Sequence, residues 1–156
     1  MGPKKASKRV SATKKPATAR LSEVLTLGNT QVEITVGIGD QQKTYEVHES
    51  LICEASDYFK TALRGGFKGA ETKQVSLLGV EPETFAFVLY WLYSGSLEKL
   101  SDTKAAVWCF IKVWLFCEEY QIPELQDEAM NQLRSVCKNE SKSPPLDAAR
   151  FVYDNT

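Results

Sequence analysis

The sequence predicts an α+β domain: a small three-stranded or larger sheet capped by a cluster of about five to six helices. Three observations predict it. Residues alternate apolar and polar in two runs, Val32 to Ile38 and Lys43 to Val47, helical spacing takes over directly after His48, and after a short return to alternation at Val75 three long amphipathic stretches follow. No internal repeat is present.

In the first run Val32, Ile34, Val36 and Ile38 share one face and Glu33 and Thr35 the other, the pattern of a half-buried strand. Gly39-Asp40-Gln41-Gln42 supplies turn residues, and Tyr45 and Val47 alternate beyond it, so the two runs form a β-hairpin. Leu51, Ile52 and Ala55 then fit one helical face. Ser56, a residue whose hydroxyl accepts from first-turn N–H groups, opens a second helix carrying Tyr58, Phe59, Ala62 and Leu63. Gly65-Gly66 ends that helix, and Val75 and Leu77 alternate with Gln74 and Ser76 in a third strand.

Pro82 stands at the first position of the next helix, with Phe85, Val88, Leu89 and Leu92 on one face and Gly95 as its stop. Thr103 caps the following one, largely buried, in which Val107, Phe110, Ile111, Trp114 and Leu115 recur up to Tyr120. Pro123 opens another, with Leu125, Ala129, Leu133 and Val136 inward; the short link Gln121-Ile122 makes these two helices packed neighbours.

The chain divides into residues 1–20, a basic tail too poor in apolar residues to fold, a domain over 21–138, and a linker with the start of a C-terminal helix over 139–156. Leu21 to Leu27 predicts a turn or two of helix broken by Gly28-Asn29. Leu146, Ala149, Val152 and Tyr153 begin the last amphipathic turns, and the chain stops inside them as a truncated one does.

Charge is unevenly placed. Lys4, Lys5, Lys8, Arg9, Lys14, Lys15 and Arg20 precede the first acid, Glu23, so the other 12 of 19 bases stand against all 20 acids, a balance of -8 in the body. An acidic body repels a phosphate backbone, leaving nucleic acid to the tail alone as a secondary reading. Lys8-Arg9-Val10-Ser11-Ala12-Thr13-Lys14-Lys15, with Lys4 and Lys5 before it, resembles part of a bipartite nuclear import signal. No apolar run is long enough to span a bilayer and the start is polar, so the expectation is an intracellular protein of nucleus or cytoplasm with no membrane partner.

Little points to chemistry. Cys53, Cys109, Cys117 and Cys137 lack C-x-x-C spacing and read as free thiols, and one histidine with dispersed cysteines makes no zinc site. Gly65-Gly66 and Gly37-Ile38-Gly39 lack a phosphate-cradling context. His48 and Cys53 are the one Cys–His pair on offer for nucleophilic catalysis, but the histidine falls at a strand-to-helix junction with no Asn or Asp placed to orient it. The chain reads as no enzyme, with no cofactor.

The run from Val47-His48-Glu49-Ser50-Leu51 through Ser56-Asp57-Tyr58-Phe59 resembles the V-H-x-x-L-x-x-x-S-x-x-F signature of BTB/POZ domains. Gly65-Gly66-Phe67-Lys68, Val75-Ser76-Leu77, Glu81-Pro82-Glu83-Thr84-Phe85 and Leu92-Tyr93-Ser94-Gly95 resemble its later blocks in order, and the whole is similar to fungal members. The resemblance covers residues 21–138. It implies a BTB/POZ fold and a non-enzymatic scaffold that forms homodimers, binds other protein partners, or links substrates to a cullin-type ubiquitin ligase.

Departures from the pattern narrow the partner. Ligase adaptors carry a hydrophobic-x-Glu triplet after the helix pair; here Phe67-Lys68 is followed by Gly69, which weakens the cullin reading, with Glu71 two residues late on what reads as a flexible Gly69-Ala70 segment. Zinc-finger repressor members carry a buried Asp and a base where this chain has Gln31 and Glu49, putting a corepressor pocket of that chemistry in doubt. Trp91 and Trp108 fall at helix-stripe edges and, with Tyr58 and Phe67 beside the helix-pair exit, are the candidate interface anchors; Lys68 and Glu71 join them.

Overall fold

The computed structural model describes residues 28–66, 68–139 and 146–155. The basic tail with Lys4, Lys5, Lys8, Arg9, Lys14 and Lys15, the helical turn expected at Leu21 to Leu27, Phe67 and residues 140–145 lie outside the described residues.

Strand β1 (Gln31–Val36) pairs antiparallel with β2 (Lys43–His48) and parallel with β3 (Gln74–Leu77), giving the order β2-β1-β3. A parallel pair cannot be closed by a tight turn, so the chain between β2 and β3 crosses over through helices. These are α1 (Glu49–Ala55), α2 (Asp57–Arg64) and the short α3 (Lys68–Thr72). Then come α4 (Pro82–Ser94), α5 (Thr103–Tyr120), α6 (Pro123–Asn139) and α7 (Leu146–Asn155).

The described residues hold seven α-helices, against an expectation of five to six. The addition is α3. Its five residues, Lys68-Gly69-Ala70-Glu71-Thr72, are too few for an amphipathic period to show, and the pair Gly69-Ala70 reads as flexible when met as sequence.

Val32, Ile34 and Val36 are fully buried as their alternation predicts, but Ile38 is 71% exposed. The alternation ends at Gly37, which turns with φ +88° beneath the one-turn 3-10 helix Gly39–Gln41; a Cβ there would meet the Gln41 carbonyl oxygen at 2.6 Å. Ile38 therefore leaves the strand after a reversal and not along it.

Two caps differ in kind. Ser56 Oγ accepts from the Phe59 N–H at 3.1 Å, as the sequence suggests, and it also donates to the Tyr120 carbonyl at 2.6 Å, tying the start of α2 to the end of α5. For α5 the cap is Asp102, whose Oδ1 accepts from Ala105 N–H at 3.0 Å, and Thr103 is the first helical residue instead. The corner between α5 and α6 is made by Gln121 in the left-handed region, φ 54°.

One core joins all three strands to α1, α2, α4, α5 and the start of α6, with Phe59, Phe85 and Phe110 its largest buried rings. A second, smaller cluster sits on the far side of α5, where Val107 and Ile111 meet Leu133 and Val136 of α6 and Phe151 and Val152 of α7. Trp108 packs edge-on to Phe151, ring centroids 5.3 Å apart. Tyr153, expected on the apolar face of the last helix, is 84% exposed; Phe151 takes the inward place.

Candidate protein-interaction face

Where α2, α3, β3 and the α5–α6 corner meet, the surface folds into a cleft of about 640 Å³. Its walls are Tyr58, Thr61 and Ala62 from α2, Lys68 and Gly69 from α3, Val75 and Ser76 from β3, and Gln121 at the corner. The same residues that carry core residues inward position it: Phe59 is wholly buried, so the preceding Tyr58 must point outward, 38% exposed and edge-on to Tyr120 at 5.0 Å. An exposed tyrosine ring on a rigid helix, beside a cation and a partly buried valine, has the makeup of an interface anchor.

Gly69 explains itself in this setting. A Cβ at that position would lie 3.0 Å from the Ala62 carbonyl oxygen and 3.3 Å from that of Gln74, so α3 packs on α2 and β3 at a distance only glycine permits. The segment is helical and not flexible, and Glu71 lies about 200° further round α3 than Gly69. Glu71 is exposed but is not brought to the place a carboxylate at position 69 would occupy. Substituting Gly69→Glu is expected to push α3 off its seat and lower the thermal midpoint measurably, while Lys68→Glu, whose side chain is exposed, leaves it unchanged.

Of the other sequence candidates, Lys68 and Tyr58 share the cleft. Trp91 does not belong to any surface: it is 2% exposed, and its indole N–H donates to Glu128 Oε2 at 3.0 Å while Glu128 Oε1 accepts from Leu97 N–H at 2.8 Å. The edge of α4's apolar stripe faces α6, which no periodicity within α4 reveals. Trp108 is half-buried under α7, away from the cleft.

The residue that sequence reasoning undervalued is Glu49. Only 8% exposed, it accepts from Arg64 Nε at 3.0 Å through Oε1 and holds Lys73 Nζ 2.9 Å from Oε2; Lys73 Nζ donates to the Leu63 carbonyl as well. This clasp joins the start of α1 to the end of α2 and the turn into β3, and the last two of these elements also line the cleft. The position is charged, as in the repressor branch of the resemblance, but with the sign reversed and the partners drawn from elsewhere. Nothing in the spacing of Glu49, Arg64 and Lys73 signals it.

The ion pair with Lys73 holds the Glu49 carboxyl below the usual range; burial opposes this and Arg64 adds to it. A carboxylate lowered on folding contributes stability that is complete above its unfolded pKa, about 4.3, and is lost as pH falls through its lower folded value. Glu49→Gln is therefore expected to cost about 2 kcal/mol at pH 7. In paired denaturant titrations the gap to the unsubstituted protein should begin to narrow below about pH 4.3 and close only once pH falls beneath the lowered folded value; a gap that does not narrow with acid would mean that shape, not charge, carries the effect.

The Cys–His pair is not assembled. His48 Nδ1 is hydrogen-bonded to Tyr93 Oη at 2.9 Å, and Cys53 Sγ lies 3.8 Å from the Phe59 carbonyl, its thiol pushed up by burial. Burial likewise raises Cys109, to about 12, and Cys117. Cys53 and Cys117 are expected to resist a maleimide at pH 8 until denaturant is added, checked by mass spectrometry of the labelled peptides; prompt labelling of Cys53 in folded protein would reopen a reactive role. Among the described residues no three His, Cys, Asp or Glu side chains are grouped to hold a metal, and no helix is long and apolar enough to cross a membrane.

A small mixed sheet is bridged by a helix pair, with a cleft formed beside β3. The family model for the BTB/POZ domain matches residues 23–135, and the chain belongs to that family. It is 25% identical over 96 residues to Kelch repeat and BTB domain-containing protein 8 of Rattus norvegicus, covering 62% of this chain and 16% of that protein. It is 32% identical over 71 residues to Kelch-like protein 13 of Mus musculus, 46% of this chain and 11% of that one. The chain thus spans less than a fifth of the length of these relatives. Among solved structures, the BTB domain of human Gigaxonin matches with a TM-score of 0.53 at 17% identity, over 77% of this chain and 94% of that one. The BTB domain of zebrafish PATZ1 gives 0.54 at 11% identity, over 80% and 99%.

Proposed function

We propose that this chain is a scaffold that recruits a protein partner, a second copy of itself included, through the cleft between α2, α3 and β3. The observation that carries the reading is the rigid, outward Tyr58 beside Lys68 and the close-packed Gly69 in a cleft lined by three separate elements. Its test is differential capture: Tyr58→Glu is expected to deplete at least one bound protein about tenfold, the scale of one lost anchor. Tyr153→Glu, on the exposed face of α7, is expected to leave the bound set intact. A bound set that Tyr58→Glu does not change contradicts the reading.

A second reading, substrate adaptor for a cullin-type ubiquitin ligase, is supported by similarity to Kelch-repeat BTB proteins. Gly69 and the outward turn of Glu71 count against it. Absence of any cullin from material captured on the unsubstituted chain removes it. Within either reading the protein works inside the cell, with Lys4, Lys5, Lys8, Arg9, Lys14 and Lys15 as the nuclear address; replacing the six by serine should abolish nuclear accumulation of a fluorescent fusion.

A further inference from the structure

Strand β2 pairs only with β1, so its outer edge, across the sheet from the cleft, has no strand neighbour among the described residues. In an antiparallel pair alternate residues turn their N–H and C=O groups toward the partner strand. The Glu49 N–H donates to the Thr30 carbonyl and the His48 N–H to Tyr93 Oη at 3.2 Å, which fixes the phase: Lys43, Tyr45 and Val47 turn toward β1, and Thr44, Glu46 and His48 away from it. Tyr93 closes the edge at His48. The outward backbone groups of Thr44 and Glu46 bond nothing among the described residues.

Two features flank these open groups. On the helix side, Tyr45 and the α4 residues Ala86, Leu89, Tyr90 and Tyr93 line an almost wholly apolar groove of about 590 Å³, with Tyr90 48% exposed. On the outer face Glu46 stands directly opposite Glu33, and like charges so placed repel. Gln74 Nε2 donates to Glu33 at 2.7 Å, whereas Glu46 is exposed and has no hydrogen-bond or ion-pair partner among the described residues.

We infer that this edge takes up an extended segment of a partner protein as a fourth strand, and that the segment carries Lys or Arg between two apolar residues. Added antiparallel, the stronger pairing per residue, such a segment lies about 4.8 Å from β2 and exchanges hydrogen bonds with Thr44 and Glu46. Residues directly opposite each other share a face. The residue opposite Glu46 therefore falls on the outer face, where a cation supplies the counter-charge that Glu46 lacks, and those opposite Tyr45 and Val47 fall on the helix side, over the groove. Main-chain bonds supply affinity and the alternating side chains selectivity. A second copy answers the charge less well: two β2 edges paired together set Glu46 against Thr44, Glu46 or His48, none of them a lysine or arginine.

Fluorescence anisotropy of the full chain with a labelled Thr-Val-Lys-Val-Thr-Val peptide as probe tests this. Exchanging the peptide's lysine for glutamate is expected to weaken binding about fivefold, and Glu46→Lys in the protein to reverse that preference by a similar factor. The milder Glu46→Gln should erase the preference without reversing it, and serves if the lysine variant fails to fold. N-methylation of the peptide's lysine amide, which bonds the Glu46 carbonyl, is expected to abolish binding, while N-methylation of the valine amide that follows, which points away from β2, leaves it largely intact. Absence of binding overturns the inference, as does binding indifferent to which amide is methylated or to the charge at position 46. Affinity that falls as protein concentration rises overturns it too, because a second copy would then hold the edge.

Discussion

Phe59→Ala is expected to remove about 4 kcal/mol of stability, a large part of the 5–15 kcal/mol that holds a typical domain folded. Phe59 is wholly buried where α2 meets α5: its ring stacks on Tyr120 at 5.8 Å and meets Tyr58 edge-on at 5.3 Å. Its backbone N–H is held by Ser56 and its carbonyl faces the Cys53 thiol. Emptying that volume removes contacts on three elements at once, and the flanking Ser56 and Tyr58 are fixed by hydrogen bonds and ring packing that oppose collapse into the gap. A urea titration checks it. Because Tyr58 rests partly on Phe59, the variant that survives should also lose partner capture, and a shift below about 1 kcal/mol would show that the site closes over the cavity.

Ser56→Ala is the second large effect, about 2–3 kcal/mol from one oxygen atom. The hydroxyl serves two helices: as acceptor it caps α2, a contribution of about 1 kcal/mol, and as donor it satisfies the Tyr120 carbonyl where α5 ends. With Ser56 only 1% exposed, water cannot readily replace it, and an orphaned buried acceptor costs about 1–3 kcal/mol. Glycine caps nearly as well as serine, so Ser56→Gly separates the two roles. It should retain most of the loss; a near-neutral Ser56→Gly would mean that the link to α5 contributes little.

These effects trace what was legible in the residues. Alternation at Val32–Val36 and helical spacing after Ser56 specify elements because each depends on local period, and the capping role of Ser56 follows from residue type. Its bond to Tyr120, 64 positions away, does not. The same division applies at the site. Tyr58 is readable as outward because Phe59 must be inward, and Lys68 follows it into the cleft.

Trp91 misleads because an apolar stripe read on one helix assumes one packing neighbour, whereas α4 is covered by the sheet on one side and reached by Glu128 of α6 on another. The helical turn at Gly69 and the Glu49 clasp were hidden for related reasons. Both are set by close approach of segments distant in sequence, and glutamate and lysine read alone predict exposure, because they are buried only when paired. Ile38 is the converse: local alternation continued on paper past a glycine whose backbone had already turned.

The size of the protein in freshly prepared extract, at its natural level, measures the central claim most directly. Gel filtration with immunodetection should place the unsubstituted chain well above the mass of a single copy, and Tyr58→Glu should return it to that mass with its thermal midpoint unchanged. Elution of the unsubstituted chain as a lone copy, indistinguishable from Tyr58→Glu, would contradict the assignment of this cleft as the surface through which the domain assembles with a partner.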